Sequence, residues 1–294
     1  VRPFYEVAEG RMTVKEFLAQ MTDEEVAHLR GGQPNTGVAN TFGWGNMPEY
    51  GIPNCMTADG PAGLRIAPEC GVTTTAWPCA TLLAATWNPN VVYQVGAAGG
   101  KEVKENNIAA WLTPALNIHR SPLCGRNFEY YSEDPLLAGV LAGAMVKGIQ
   151  SQGVAATVKH FALNNKETDR KHSDSRVSER AAREIYLKAF EYVIKGAKPW
   201  AVMSSYNIIN GCYASENKEL LEDILRDEWG FDGMVTTDWW TLGEHYKEVK
   251  AGNDMKMACG DPKRLKEAMD QGLLTRQDLE HCAERVLNLI LKLD

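Results

Sequence analysis

The stretch Gly233-Met234-Val235-Thr236-Thr237-Asp238-Trp239-Trp240 decides how the chain reads. Its short apolar run has the length of a buried strand, and it leaves on a carboxylate followed by two indoles. In a barrel of parallel strands the carboxyl ends carry the reactive side chains, and an aromatic ring beside an acid suits the apolar face of a sugar. Asp238 would serve equally well as the cap of a following helix, so the rest of the chain has to decide.

Working outward, similar patterns recur. Asn54-Cys55-Met56-Thr57-Ala58-Asp59 reads as a strand ending on a carboxylate, before a Gly60-Pro61 turn. Residues 108–116 form an apolar strand leaving on Asn117 and His119, residues 154–161 a strand ending on Lys159-His160, and residues 200–207 a strand reaching Tyr206. Helical patterns separate them over residues 80–108, 136–151, from Ser178 to Lys195-Gly196, and around Leu220, Leu221, Ile224 and Leu225. Residues 251–258 suggest one more strand. A last helix opens with the capping-box spacing Thr275-Arg276-Gln277-Asp278. Two short helices lie in residues 11–30, and an aperiodic Gly- and Asn-rich loop follows to Tyr50, of a length that is often functional.

This alternation predicts an α/β fold with a parallel sheet, in one domain spanning residues 1–294. Polar groups stand at strand exits along the whole chain rather than at one switch point, which favours a closed (β/α)8 TIM-like barrel over a doubly wound sheet.

Composition narrows the function classes. A net charge of −7 without a basic stripe argues against nucleic acid, and no apolar run is long enough to cross a bilayer. Seven irregularly spaced cysteines fit reduced thiols, which points to a cytoplasmic location, although the chain begins at Val1 without an initiator Met. No CxxC or HExxH pattern offers a metal site. Gly96-Ala97-Ala98-Gly99-Gly100-Lys101 is followed by Glu102 and fails as a P-loop, and no G-x-S-x-G or strand-borne G-x-G-x-x-G occurs. No cofactor is expected. Carboxylate chemistry on a neutral polyol fits best: Asp59, Arg65, Arg126, Lys159, His160 and Tyr206 supply hydroxyl partners, and Trp239 an apolar face.

Thr57-Ala58-Asp59-Gly60-Pro61-Ala62-Gly63-Leu64-Arg65, Gly125-Arg126-Asn127-Phe128-Glu129, Lys159-His160-Phe161, Met203-Ser204-Ser205-Tyr206-Asn207 and Thr237-Asp238-Trp239 resemble, in order and spacing, the barrel domain of glycoside hydrolase family 3 β-glucosidases. The resemblance covers about residues 10–294. It implies a retaining exo-acting enzyme on terminal β-D-glucosyl residues of a glucoside or short oligosaccharide, with Asp238 as the nucleophile. It further implies that Asp59 binds the outer hydroxyls, that Arg65, Arg126, Lys159 and His160 line the same subsite, that Tyr206 sits near the nucleophile and that Trp239 meets the sugar's face. The acid/base Glu would come from an α/β sandwich domain outside this chain, with Glu129, Glu133 and Glu167 as supporting carboxyls. β-Xylosidase or β-N-acetylglucosaminidase activity, and a sugar-binding barrel without turnover, are the alternatives. Two departures stand out: Lys256, where an acidic residue is often found, is expected to alter a hydrogen bond at the pocket rim, and His172-Ser173-Asp174 lies where one branch carries a His-Asp dyad. Nearby Arg126 and Lys159 are expected to favour the ionised form of Asp238.

Overall fold

The structure, a computed structural model, describes residues 1–293. Six strands form one sheet in sequential order: β1 (Gly43–Met47), β2 (Ile52–Ala58), β3 (Ala110–Trp111), β4 (Ala155–Phe161), β5 (Ala201–Ser204) and β6 (Met234–Thr237). β1 pairs antiparallel with β2, and every other pairing is parallel. Helices Pro89–Glu105, Pro135–Gln150 and Lys188–Ala197, with the helical segment Glu219–Glu228, occupy the connections from β2 onward.

Of the expected α/β TIM-like barrel the structure shows the α/β class and a curled, mixed half-barrel sheet rather than eight paired strands. Beyond β6, among the described residues, single bridges continue the curl: Thr236 to Met255, Lys256 to Gly31, and Gln33 to Gly43 of β1. Close backbone approach explains the irregularity: a Cβ on Gly31 would lie 2.6 Å from the Gly260 nitrogen, and one on Gly32 1.7 Å from the Ala258 oxygen. β1 itself lies in the segment read as loop, because Gly43 and Gly45 break its apolar pattern. β3 is short because Pro114 has no N–H to donate, and thereafter the chain follows β4 through isolated bonds such as Leu116 N–H to the Lys159 carbonyl.

Alternation of side chains explains where the site lies. Ala156, Val158, Val202 and Val235 face the helices in one core cluster. Cys55, Ala110, Ala155, Ala201 and Met234 face the other way and pack with Trp44, Met255 and the C-terminal helix Arg276–Ile290, sealing the ring's amino end. Two residues along each strand comes a middle layer containing the buried Thr57, Thr157 and Thr236, and two further come Asp59, Lys159 and Asp238. The same period that buries small residues at the bottom thus presents charged ones at the top. Among the described residues no helix is long and apolar enough to cross a membrane.

Gly99 marks where helix Pro89–Glu105 touches the sheet, since a Cβ there would meet the Trp111 ring at 2.4 Å. Trp111 is fully buried and donates through Nε1 to the Gly60 carbonyl at 3.0 Å, bracing the turn after Asp59. Gly99→Ala is expected to lower stability in urea unfolding by about 1–3 kcal/mol. Gly196→Ala, in helix Lys188–Ala197 with nothing within 4 Å, should instead gain about 0.4–1 kcal/mol. Equal effects at the two positions would contradict this packing.

Candidate active site

A cavity of about 680 Å³ opens at the carboxyl ends of the strands. The structure brings Asp59, Arg65, Arg126, Lys159, His160, Tyr206, Asp238 and Trp239 together around it. Asp59 and Asp238 are the first residues beyond β2 and β6. Asp238 caps no helix: its Oδ1 accepts the Trp239 N–H at 2.7 Å, its own N–H bonds the Ser204 carbonyl, and the next helix, His245–Ala251, has Glu244 as its N-cap. Lys159 and His160 are consecutive yet both line the cavity, where the β4–β5 pairing register shifts between Val158 and Phe161. Asn117 fixes that irregular stretch from both sides, accepting the His160 N–H at 2.8 Å and donating to its carbonyl at 2.9 Å.

Asp59 is held by Lys159 Nζ at 2.8 Å and by Arg65 Nη1 at 3.4 Å. Burial works to raise its pKa, but the Lys159 ammonium, the Gly60 N–H and Arg65 together outweigh it and lower the value to about 2. Asp238 goes the other way. Its burial outweighs the Trp239 N–H and the charges of Lys159, Arg126 and Arg170, and its pKa rises above the ordinary aspartate value. Lys159 and Arg126 favour the ionised form of Asp238 in the expected sense, but none of the cations touches its carboxylate, whereas Lys159 bonds Asp59 directly. Burial, with Arg126, Lys159 and Arg170 nearby, drives the His160 pKa well below the usual histidine value, so the ring is neutral. Its Nε2 lies 3.9 Å from Asp238 Oδ2. Tyr206 donates its hydroxyl to the Trp239 carbonyl at 2.6 Å, and Trp239 Nε1 donates to Thr41 Oγ1 at 2.8 Å, fixing the indole at the cavity wall.

Several lining residues escaped the sequence reading. Arg170 stacks 4.5 Å over the Tyr206 ring and bonds Glu167 at 3.0 Å. It lies in a polar loop with no strand exit to single it out. Asn40, whose Oδ1 accepts the Asp59 N–H, and Thr41 come from the long Gly- and Asn-rich loop, whose length was the only signal. Glu129 lines the cavity and pairs with Arg126; Glu167 stands behind with Arg170, and Glu133 is exposed.

Lys256 does not reach the rim. Its ammonium is buried against Glu248 at 2.5 Å and Thr241 Oγ1 at 2.7 Å, tying down the segment after Trp240. His172 pairs with Asp169 at 2.8 Å and Asp174 with Arg176 at 2.6 Å, and the exposed His172 makes no dyad with Asp174. His119 is turned onto the Asn127 and Tyr130 carbonyls and stays outside the lining. Among the described residues no cluster has the makeup of a metal site.

A curled α/β sheet whose carboxyl ends present carboxylates, cations and an indole around one cavity has the layout of a small-molecule site. Residues 46–289 match the family profile "Glycosyl hydrolase family 3 N terminal domain", and the chain belongs to glycoside hydrolase family 3. It is 64% identical over 279 residues to beta-glucosidase A of Butyrivibrio fibrisolvens, covering 95% of this chain and 34% of that protein. It is 44% identical over 252 residues to an exo-alpha-(1->6)-L-arabinopyranosidase of Bifidobacterium longum, covering 82% and 33%. The structure of beta-glucosidase 3B from Thermotoga neapolitana in complex with alpha-D-glucose superposes with a TM-score of 0.92 at 43% identity, covering 96% of this chain and 43% of that one. The chain spans about a third of the length of the curated relatives it matches.

The two pocket aspartates should separate in a carboxyl ¹³C NMR titration. Asp59 is expected to keep its charge down to about pH 2, while Asp238 protonates above the ordinary value of 3.8. For Asp59, the lowered folded pKa contributes stability present above 3.8 and lost as pH falls through about 2. For Asp238 the sign reverses, and its ionisation costs stability as pH rises through 3.8 to the folded value. A shared midpoint for the two groups would overturn this electrostatic picture.

Proposed function

We propose that this chain is the nucleophile-bearing domain of a retaining exo-β-glucosidase, with residues 1–294 as one domain. The observation that carries the reading is the pairing, in one cavity, of two aspartates with opposite environments. Asp59 is locked ionised by Lys159 and suits the outer hydroxyls of a terminal glucosyl residue, while Asp238 keeps an oxygen free of any cation contact. Asp238 attacks the anomeric carbon, the glycosidic bond breaks, and a covalent glycosyl ester forms that water later hydrolyses. Arg65, Arg126, Lys159 and His160 donate to sugar hydroxyls, Tyr206 stands beside the nucleophile, and Trp239 covers an apolar face.

The leaving oxygen needs a proton. Asp59, with its pKa near 2, cannot hold one at neutral pH, and Glu129 is engaged by Arg126. We therefore place the acid/base Glu on an α/β sandwich domain outside these residues, consistent with the greater length of the relatives. The 44% identity to an arabinopyranosidase keeps a pentopyranoside such as a xyloside or arabinoside as the second substrate reading.

Incubation with 2-deoxy-2-fluoro-β-glucosyl fluoride followed by intact-mass spectrometry tests the nucleophile. One added sugar on the peptide containing Asp238, and none on Asp238→Asn, is expected. An aryl glucoside with a good leaving group should turn over, and an alkyl glucoside should be slower by about 10²–10⁴-fold in the absence of acid catalysis. No adduct on folded protein that binds glucose would favour a binding domain without turnover.

A further inference from the structure

His160 presents Nε2 to the cavity, and whether that nitrogen donates or accepts depends on the proton position in a neutral ring. The groups behind it form a chain in which each partner has a single consistent orientation. Glu167 is bonded by Arg170 Nη1 at 3.0 Å and has Arg126 Nη1 4.0 Å away. Its Oε1 accepts from Asn164 Nδ2 at 3.2 Å, and the second hydrogen of that same nitrogen reaches the Tyr130 hydroxyl at 3.4 Å. Turning the Asn164 amide over would set its oxygen against the Glu167 carboxylate. The amide therefore stays donor-inward, even though its buried Oδ1 has no partner.

Receiving a hydrogen from Asn164, the Tyr130 hydroxyl has its own left to give, and its other neighbour is His160 Nδ1 at 3.1 Å. Burial keeps that hydroxyl protonated, with a pKa well above the usual tyrosine value. Nδ1 is then an acceptor, and the ring's one hydrogen resides on Nε2, toward Asp238.

We infer that Glu167, Asn164 and Tyr130 are positioning residues that lock His160 in the tautomer protonated at Nε2, giving the cavity a permanent neutral N–H donor beside Asp238. None of the three needs to touch a sugar. The use of that donor rests on the proposed function: a substrate hydroxyl placed between His160 and Asp238 accepts from the imidazole and donates to the carboxylate, so its orientation is set before chemistry begins. A neutral donor does this without adding a further charge next to the nucleophile.

The test is spectroscopic and independent of turnover. Long-range ¹H–¹⁵N correlation spectra of the chain labelled with ¹⁵N-histidine, with His160→Asn to assign the resonance among six histidines, should show Nε2 protonated and Nδ1 as a hydrogen-bonded acceptor. In Tyr130→Phe the Nδ1 resonance should move to the position of an unbonded acceptor. Asn164→Leu, which leaves the tyrosine in place but removes the amide that orients its hydroxyl, should move it in the same direction by less. A protonated Nδ1 in the wild type, or an Nδ1 resonance unchanged in Tyr130→Phe, overturns the proposal. Failure to bind glucose with the expected spectra intact would instead count against the proposed function alone.

Discussion

The 2.8 Å contact between Lys159 and Asp59 is the interaction on which the pocket depends. Lys159 is almost fully buried, and a buried ammonium is tolerated only with a carboxylate against it, because removing either partner leaves an uncompensated charge out of water. The same cation acts on three groups at once. It is the main influence lowering Asp59 against its burial, it opposes the rise at Asp238, and it helps keep His160 neutral. An ammonium has three hydrogens, so holding Asp59 leaves donors for a ligand. The ionisation pattern of the cavity is thus a collective property of one buried cation and its distances to its neighbours.

Those distances are set by the backbone. Period-two alternation brings Asp59, Lys159 and Asp238 to the same inward layer, and the helices on the outer face hold the strands in register through Val158, Val202 and Val235. Where regularity stops, specific bonds replace it. Asn117 grips the His160 peptide, Trp111 braces the Asp59 turn, and Lys256 with Glu248 and Thr241 tethers the segment after Trp240. Where no full strand follows β6 among the described residues, the 254–257 segment holds its edge instead: the Thr237 N–H bonds the Met255 carbonyl, the Val235 N–H the Asp254 carboxylate, and the Met257 N–H the Thr237 hydroxyl.

How much of this was legible in the sequence follows from the same division. An apolar run ending on a polar residue is a local pattern, and it located Asp59, Lys159, His160, Tyr206 and Asp238 at strand exits. Ring closure is not local: it turns on Gly31 and Gly32 meeting Ala258 and Gly260 across more than half the chain, and the glycines that permit this look like loop residues. Arg170 was missed because it enters from a loop without periodicity, and Lys256 was assigned to the rim because its partner, Glu248, lies on a helix that the sequence did not tie to it. The sense in which Arg126 and Lys159 act on Asp238 was legible because charge can be counted in a sequence, while the burial that outweighs them has to be seen.

On the proposed reading, the separation of nucleophile and acid between two domains has an electrostatic basis. A retaining glycosidase needs one carboxylate ionised and one carboxyl protonated within a few ångströms, and these states call for opposite surroundings. The inner wall here carries Lys159, Arg126 and Arg170, and each of these charges favours the ionised form of any carboxyl that comes near. Burial offsets their effect at Asp238 only because no cation touches it. A second carboxyl on the same wall would meet those cations more closely, as Asp59 meets Lys159, and would surrender its proton. An acid that approaches from the open side, with the leaving group between it and the cations, can keep its proton until the glycosidic oxygen takes it.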